Sequence, residues 1–236
     1  MATVKRIVCL ANSRMRGGRC VAGRELIGNR VGPWIRPVPE RPGDGLLPFE
    51  RCYSDGTEPH LLDIMEVHLL RHAGRYHHTE NWLIDPNERW AKVGEFPVRR
   101  LRELADPSGP LWIDGHDSPA GRNDRVPLAL AKGLTSSLKL IWVPQLTFMV
   151  TDEQQEDGSK RRRVQAQFFL AGVEYHLWVT DPRIEGEYEH RRPGEYACEE
   201  SYLTISLGEP FGFFCYKLVA AVIRAGGGGL SNGKRS

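Results

Sequence analysis

The chain has 236 residues, which is enough for one large domain or for two domains of about 100 residues each. Apolar residues make up 40% of it and charged residues 26%, so a folded core is expected, while the net charge of +2 says little about partners. No stretch approaches the roughly 18 to 20 apolar residues of a membrane span, and the N-terminus has no apolar run typical of a secretory signal. We therefore predict a cytoplasmic protein with no membrane partner.

Five cysteines occur, and their number and spacing argue against two classes of site. Cys9, Cys20, Cys52, Cys198 and Cys215 are odd in number and widely separated, and no pair has the CxxC spacing. This pattern argues against a disulfide framework and against a structural zinc site. We predict five reduced thiols, with Cys9 and Cys215 buried in strands.

The first half of the chain is predicted to consist mainly of short strands. β-Branched and alternating residues predict the strands Val4–Leu10, Cys20–Ala22, Trp34–Val38 and Leu61–Leu70, and a spacing of three predicts a helix over Val98–Leu104. A long loop is expected over Pro39–Pro59. The Pro/Gly/Asp-rich stretch Ala105–Pro110 then stops the helix and marks a domain boundary. The predicted domains are 1–107 and 108–224, and residues 225–236 form a flexible glycine-rich tail.

The second half has a clearer strand pattern. Lys139–Thr151 is predicted to be a long strand bent at Pro144, and Arg161–Leu170 and Val173–Thr180 follow it as a three-stranded meander. The remaining predictions are a charged loop over Arg183–Glu199, strands over Tyr202–Leu207 and Phe213–Ile223, and a turn over Gly208–Gly212. Each half thus offers four to six short strands and about one helix, a number that suits two small barrels or sandwiches.

An arginine cluster near the N-terminus is the strongest candidate for a binding site. Between Arg14 and Arg41 there are seven arginines, no lysine and two acids, a net charge of about +5 over 28 residues. Guanidinium groups bind phosphate in a bidentate manner, adjacent glycines let backbone N–H groups approach an anion, and a tryptophan can stack on a base. The predicted phosphate- or nucleic-acid-binding residues are Arg14, Arg16, Gly17, Gly18, Arg19, Arg24, Trp34 and Arg36. The alternative is a solvated basic face with Trp34 in the core.

Other charged groups are weaker candidates. The basic run Lys160–Arg163 is expected to pair with the acidic Asp152–Asp157 stretch across a hairpin. The acidic run that contains Glu185 and Glu195 is expected to be a solvated loop. Glu209 lies between two apolar strands, where pairing with an arginine of the other half would explain it.

Catalytic and metal-binding patterns are absent from the sequence. Neighbouring His77 and His78 would point to opposite faces of a strand, which disfavours a metal site. No GxSxG, HExxH, GxxxxGK[ST] or suitably placed GxGxxG motif occurs. We predict no catalytic residue, no metal and no cofactor, and hence a protein that is not an enzyme.

Six segments together resemble one known family. They are Asn12–Arg14, Gly18–Gly23, Trp34–Val38, His176–Pro182, Leu203–Phe211 and Cys215–Ile223. In this order they resemble the dual OB-containing domain family of bacterial proteins, and the match extends from Val4 to Ile223. The resemblance implies a mostly β fold with two small OB-like β-barrels, short helices and long loops. It also implies a role in sensing nucleic acid or nucleotides within bacterial conflict or defence systems.

Three binding hypotheses follow. The first is a nucleic-acid-binding module, with single strands favoured because OB barrels track a backbone with cations and stack bases on aromatics. The second is a sensor of a small nucleotide held in a cleft between the barrels. The third is a protein–protein adaptor of a defence complex. It would use the aromatics Trp178, Phe211, Phe213 and Phe214, although core packing explains these more simply.

Overall fold

The computed structural model describes residues 2–28, 30–41, 43–154 and 157–226. They form two β-sheets connected by short helices, so the fold is mostly β, as predicted. The longest helix in these ranges has 7 residues, far fewer than a membrane crossing requires. Most of the predicted glycine-rich tail, from residue 227 onward, lies outside the described residues.

The first sheet closes into a five-stranded barrel. Its strands are β1 (Thr3–Met15), β2 (Gly18–Ile27), β3 (Arg30–Val38), β4 (Asp63–His72) and β5 (Asn81–Ile84). A further strand, β6 (Ala91–Glu95), pairs with the same edge of β4 as β5. The neighbours follow the order β1-β2-β3-β5-β4, and β4 pairs with β1 to complete the circle. Only β3 and β5 run parallel. A short helix, α1 (Pro48–Arg51), lies in the expected long loop. This is the five-stranded Greek-key barrel expected of an OB fold.

The second sheet repeats this arrangement. Its strands are β7 (Arg125–Pro127), β8 (Leu138–Val143), β9 (Leu146–Gln154), β10 (Lys160–Leu170), β11 (Val173–Val179), β12 (Gly194–Cys198), β13 (Ser201–Phe211) and β14 (Phe214–Arg224). The order is β9-β10-β11-β14-β13-β8, and β11 and β14 run parallel as β3 and β5 do. β8 and β9 are two segments of one long strand separated by Pro144 and Gln145. The predicted bend at Pro144 therefore lets one strand pair with β10 at one end and with β13 at the other, which closes the barrel.

Each barrel has its own apolar interior. Along β4 buried and partly buried residues alternate, so Met65, Val67 and Leu69 point inward and pack with Trp90. In the second barrel the inward-facing residues of β9, β10 and β11 also pack together in one apolar cluster. The period of two that predicted these strands is thus the period of burial. Cys9 and Cys215 are fully buried in strands and all five cysteines are free, as predicted.

Two predictions for the second half were wrong. The expected charged loop over Arg183–Glu199 contains the helix α3 (Pro182–Tyr188) and the strand β12. Asp181 accepts a hydrogen bond from the Arg183 backbone N–H and caps α3, and Ile184 and Tyr188 pack into the barrel interior. The turn predicted over Gly208–Gly212 is also wrong in its length: the observed turn is shorter, because β13 continues to Phe211. Acidic residues on the outer face of α3 hid the two apolar positions on its inner face.

A third apolar cluster, the barrel interface, joins the two halves. The outer face of β1 to β3 contributes Val8, Leu10 and Trp34, and the second barrel contributes Leu140 and Tyr202 among others. The helix predicted over Val98–Leu104 is a 3-10 helix (Val98–Glu103) that lies between the barrels. Its apolar side chains pack into the same cluster. The domain boundary at 107 stays a prediction. The two barrels are nevertheless packed through a shared core.

Candidate nucleic-acid interface

The structure does not bring the eight predicted arginine-cluster residues onto one surface. Arg24 and Trp34 face the second barrel and bond to Asp106: the Trp34 Nε1–H donates to it over 3.1 Å and the Arg24 guanidinium over 3.4 Å. The Arg24 guanidinium also lies 5.5 Å from the centre of the Trp34 ring. Only 7% of Trp34 is exposed. The indole is therefore part of the barrel interface and is not available to stack on a base.

Arg36 and the glycine pair also have structural roles. Arg36 is 5% exposed, and its guanidinium contacts Asn81 Oδ1 and Ser206 Oγ, both at 3.4 Å, between the barrels. Gly17 has a φ of +70° in the β1–β2 turn. A Cβ on Gly18 would overlap the Leu46 carbonyl, because the backbone of that segment lies directly against it. The two glycines therefore shape the turn and permit a backbone contact.

Three of the predicted arginines lie near the β1–β2 turn. Arg14 and Arg16 are exposed and Arg19 is partly buried. Arg14 binds Glu185 of α3 through two hydrogen bonds of 2.9 and 3.1 Å. The predicted site is thus reduced to one end of the first barrel, and its best-placed cation already has a carboxylate partner.

The ligand face of the first barrel is covered. OB folds bind oligonucleotides on the outer face of their second and third strands and through the loops between strands 1 and 2 and between strands 4 and 5. Here the outer face of β2 and β3 packs against the second barrel. The Thr204 hydroxyl even donates to the Leu10 carbonyl across the interface, over 2.6 Å. The loops between strands 4 and 5 are not part of this covered face.

These two loops lie at the same end of the molecule. In the first barrel the loop is residues 73–80, between β4 and β5, and in the second it is the tight Gly212–Phe213 turn between β13 and β14. His77 and His78 of the first loop bond through Nε2 to the carbonyls of Gly208 and Leu207, at 3.1 and 3.0 Å. The first loop is thereby fixed against the strand that leads into the second.

Exposed aromatic rings mark this end. Tyr76 is 52% exposed, Phe211 77% and Phe213 85%. The Phe213 carbonyl accepts a hydrogen bond of 2.8 Å from the Leu128 N–H, which fixes the turn to the short helix α2 (Leu128–Ala131). We call Tyr76, Phe211 and Phe213, together with the cations Arg75, Arg125 and Lys132, the aromatic loop surface.

The cations of the aromatic loop surface contact rings. Arg75 lies 5.0 Å and Lys132 5.9 Å from the centre of the Tyr76 ring, and Arg125 lies 3.9 Å from that of Phe214. Within the described part of the chain, none of these three cations pairs with a carboxylate. A hydrogen bond with Arg75, and the charges of Arg75 and Lys132, lower the pKa of the Tyr76 hydroxyl. The potential around this ring is therefore positive, which favours an anionic ligand.

Behind the first loop, the buried His77 and His78 form a polar group with Glu209. The His77 and His78 rings lie 4.1 Å apart, and both are buried. The expectation that they would face opposite ways was wrong, because they lie in a loop and not on a strand. His78 Nδ1 pairs with Glu209 Oε1 at 3.0 Å. The partner of Glu209 therefore comes from the other half, as expected, but it is a histidine and not an arginine.

The polar group makes the stability of the protein depend on pH. Burial, and then the neighbouring His78, lower the pKa of His77, while the hydrogen bond from His78 lowers the pKa of Glu209. The unfolded chain therefore binds more protons than the folded one once the pH falls below about 6.5, the unperturbed pKa of histidine. Glu209 acts in the same direction below its unfolded pKa. The free energy of unfolding should thus be greatest near neutral pH and fall on acidification.

We expect His77→Gln to flatten this pH dependence. Glutamine can still donate to the Gly208 carbonyl but does not titrate. Chemical denaturation at pH values from 7.5 to about 5 measures the slope, and His190→Gln, at an exposed position, is the control. Equal slopes for both variants and the parent protein would contradict the assignment.

Sequence reasoning weighed Phe211 and Phe213 only as adaptor residues and considered core packing the simpler explanation. That explanation is wrong for these two side chains, although Phe214 is partly buried. The available signal was their position on both sides of Gly212, since glycine marks turns and connecting segments run over the protein surface. Tyr76 gave no comparable signal.

A comparison with known proteins identifies the family. The model of the dual OB-containing domain matches residues 5–222, a range that spans both barrels. No curated protein and no solved structure matches the chain. Both barrels also have the strand order that such a domain requires. The chain therefore belongs to the dual OB-containing domain family.

Proposed function

We propose that this protein is a non-enzymatic module that binds single-stranded nucleic acid at the aromatic loop surface. The observation that supports the proposal best is the contact of the exposed Tyr76 ring with two cations that have no carboxylate partner among the described residues, at the end of the molecule where Phe211 and Phe213 are also exposed. Single-strand binders combine such rings with a positive surface that follows the backbone. A duplex is a poorer ligand because its bases are stacked on each other and cannot reach the rings.

Each part of the surface has a role in this proposal. Phe211 and Phe213 offer open ring faces to unstacked bases. Arg75 and Lys132 hold the phosphates beside them, and Tyr76 lies between these two cations. The His77 and His78 bonds to β13 keep both loops in place, so the rings are ordered before a strand binds. This preorganisation lowers the entropic cost of binding.

We expect Phe213→Ala to weaken binding of a single-stranded oligonucleotide about 5- to 150-fold, because each base–aromatic stack is worth about 1–3 kcal/mol. Fluorescence anisotropy with a labelled oligonucleotide of mixed sequence measures the affinity. The matched control is Phe49→Ala, which removes another exposed phenyl ring outside the aromatic loop surface. The thermal midpoint should hardly change in either variant, since both rings are mostly in solvent.

Salt provides the second readout of the same experiment. Affinity should fall steeply with added salt, and Lys132→Ala should reduce the slope of log K against log[salt] by about 0.7, the value for one phosphate contact on a single strand. If the protein fails to bind at low salt, or binds with an affinity independent of salt and of Phe213, the proposal is wrong. Stabilisation by a mononucleotide without polymer binding would instead favour the sensor hypothesis. Capture of a protein partner through Phe211 and Phe213 would favour the adaptor hypothesis. The role in bacterial defence stays a prediction from the family resemblance.

A further inference from the structure

A second charged region lies at the other end of the strands. A cleft of about 650 Å³ separates the β9–β10 hairpin from α3. Its walls include Asp152, Lys160, Arg161, Arg162, Glu185 and Glu189. The volume lies within the range of small-molecule sites, about 300–1,000 Å³. The nucleic-acid proposal does not use this cleft.

Two guanidinium groups from different barrels meet at one carboxylate in the cleft. Arg14 of the first barrel binds both oxygens of Glu185, at 2.9 and 3.1 Å, and Arg161 of the second barrel lies 4.0 Å from the same carboxylate. Planar guanidinium groups that converge on a bidentate oxyanion are the donor set that binds phosphate in proteins. Glu185 thus occupies the position that a phosphate group would take.

Three other charged side chains of the cleft pair with one another. Asp152 is bonded to Arg162 and lies 3.8 Å from Lys160, so these three form their own cross-strand group, as the sequence predicted. Glu185 is the carboxylate that Arg14 and Arg161 share. Displacing Glu185 would therefore release the guanidinium groups of Arg14 and Arg161 from this carboxylate. An ion pair this exposed is worth about 1 kcal/mol or less, so a competing anion can break it.

We propose that this cleft binds the phosphate groups of a small phosphorylated ligand, with Glu185 as an internal competitor that the ligand displaces. Arg14 and Arg161 hold the phosphate oxygens. Lys160, on the same wall, is 69% exposed and lies 3.8 Å from Asp152, and a phosphate beside the first would compete with Asp152 for it. Because Arg14 and Arg161 belong to different barrels, the ligand would bridge the two halves. A di- or triphosphate fits this spread of cations better than a single phosphate.

Isothermal titration calorimetry of the full chain at low salt tests the proposal, with sodium pyrophosphate as the first probe. We expect Glu185→Gln to bind pyrophosphate at least about fivefold more tightly than the parent protein, since the competing charge is gone and its shape is kept. Arg161→Ala should weaken binding at least about tenfold. Glu189→Gln is the matched control, because it removes one negative charge from the same cleft but has no ion pair with Arg14 or Arg161.

The outcomes separate the proposal from its alternatives. Equal tightening in Glu185→Gln and Glu189→Gln would show a general charge effect and overturn direct competition. An absence of pyrophosphate binding in both the parent protein and Glu185→Gln would overturn the proposal as well. A second titration with ATP and with tripolyphosphate identifies the source of the phosphate. Tighter binding of ATP supports a nucleotide, and equal binding supports an inorganic polyphosphate. Phe213→Ala should leave all these affinities unchanged, so failure here is distinct from failure of the nucleic-acid proposal.

Discussion

Replacing Trp34 with alanine should lower the free energy of unfolding by about 3–5 kcal/mol, the usual cost of deleting a large buried aromatic side chain. The indole fills the barrel interface, where it packs among apolar side chains of both halves, and its N–H bonds to Asp106. Asp106 also accepts from the Leu140 N–H at 2.8 Å. Deleting the ring would therefore open a cavity beside a carboxylate that organises residues of both barrels.

Equilibrium urea denaturation measures this loss. Trp142→Ala is the control, because Trp142 is 45% exposed on β8 and its removal should change stability far less. Oligonucleotide affinity, measured where the variant is still folded, should match that of the parent protein. A Trp34→Ala variant that is as stable as the parent but no longer binds nucleic acid would restore the stacking role that the sequence suggested.

Replacing Asp114 with alanine is expected to destabilise the protein by a similar amount, about 3–5 kcal/mol, because it leaves a buried ammonium without its carboxylate. The Lys217 side chain is fully buried and donates to Asp114 at 2.9 Å and to the Ile113 carbonyl at 2.7 Å. Burial lowers the pKa of Lys217 even with Asp114 present. The Tyr175 hydroxyl also donates to Asp114, at 2.8 Å, so the substitution removes the partner of a second buried group.

Lys217→Met is the informative companion variant. Methionine fills a similar volume without a charge, and such replacements of buried ions are often neutral or stabilising, so we expect a much smaller loss. The stability of Asp114→Ala should rise with pH, because its folded state binds the Lys217 proton more weakly than the unfolded chain does. Both variants can be compared by denaturation at pH 7 and pH 9. A larger loss in Lys217→Met than in Asp114→Ala would contradict this account.

Features that depend on local sequence could be predicted. The meander of β9, β10 and β11 and the bend at Pro144 follow from alternation, turn residues and the missing N–H of proline, all of which act within a few residues. The burial of Cys215 follows from the same alternation, while Cys9 lies in the continuously buried run of residues 7–11. The two-barrel fold came from the order of six segments that resemble a known family, and not from these patterns alone.

Features that depend on contacts between the halves could not be predicted. Arg36 meets Ser206, and His78 meets Glu209, over more than 100 residues of sequence. An outward-facing arginine or tryptophan looks the same in the sequence whether solvent or a second barrel covers it. The arginine cluster was therefore divided between the barrel interface and one exposed turn. The aromatic loop surface was missed because its parts come from residues 75–76, 125–132 and 211–213.

The barrel interface also has a consequence for cooperativity. Trp34 and Tyr202 lie in the same apolar cluster although they come from opposite halves, so each barrel alone would present that surface to water. Neither half is therefore expected to persist once the other has melted, and heating should produce one calorimetric transition for the whole chain. For the same reason, the unit that folds and unfolds is the pair of barrels and not the single barrel.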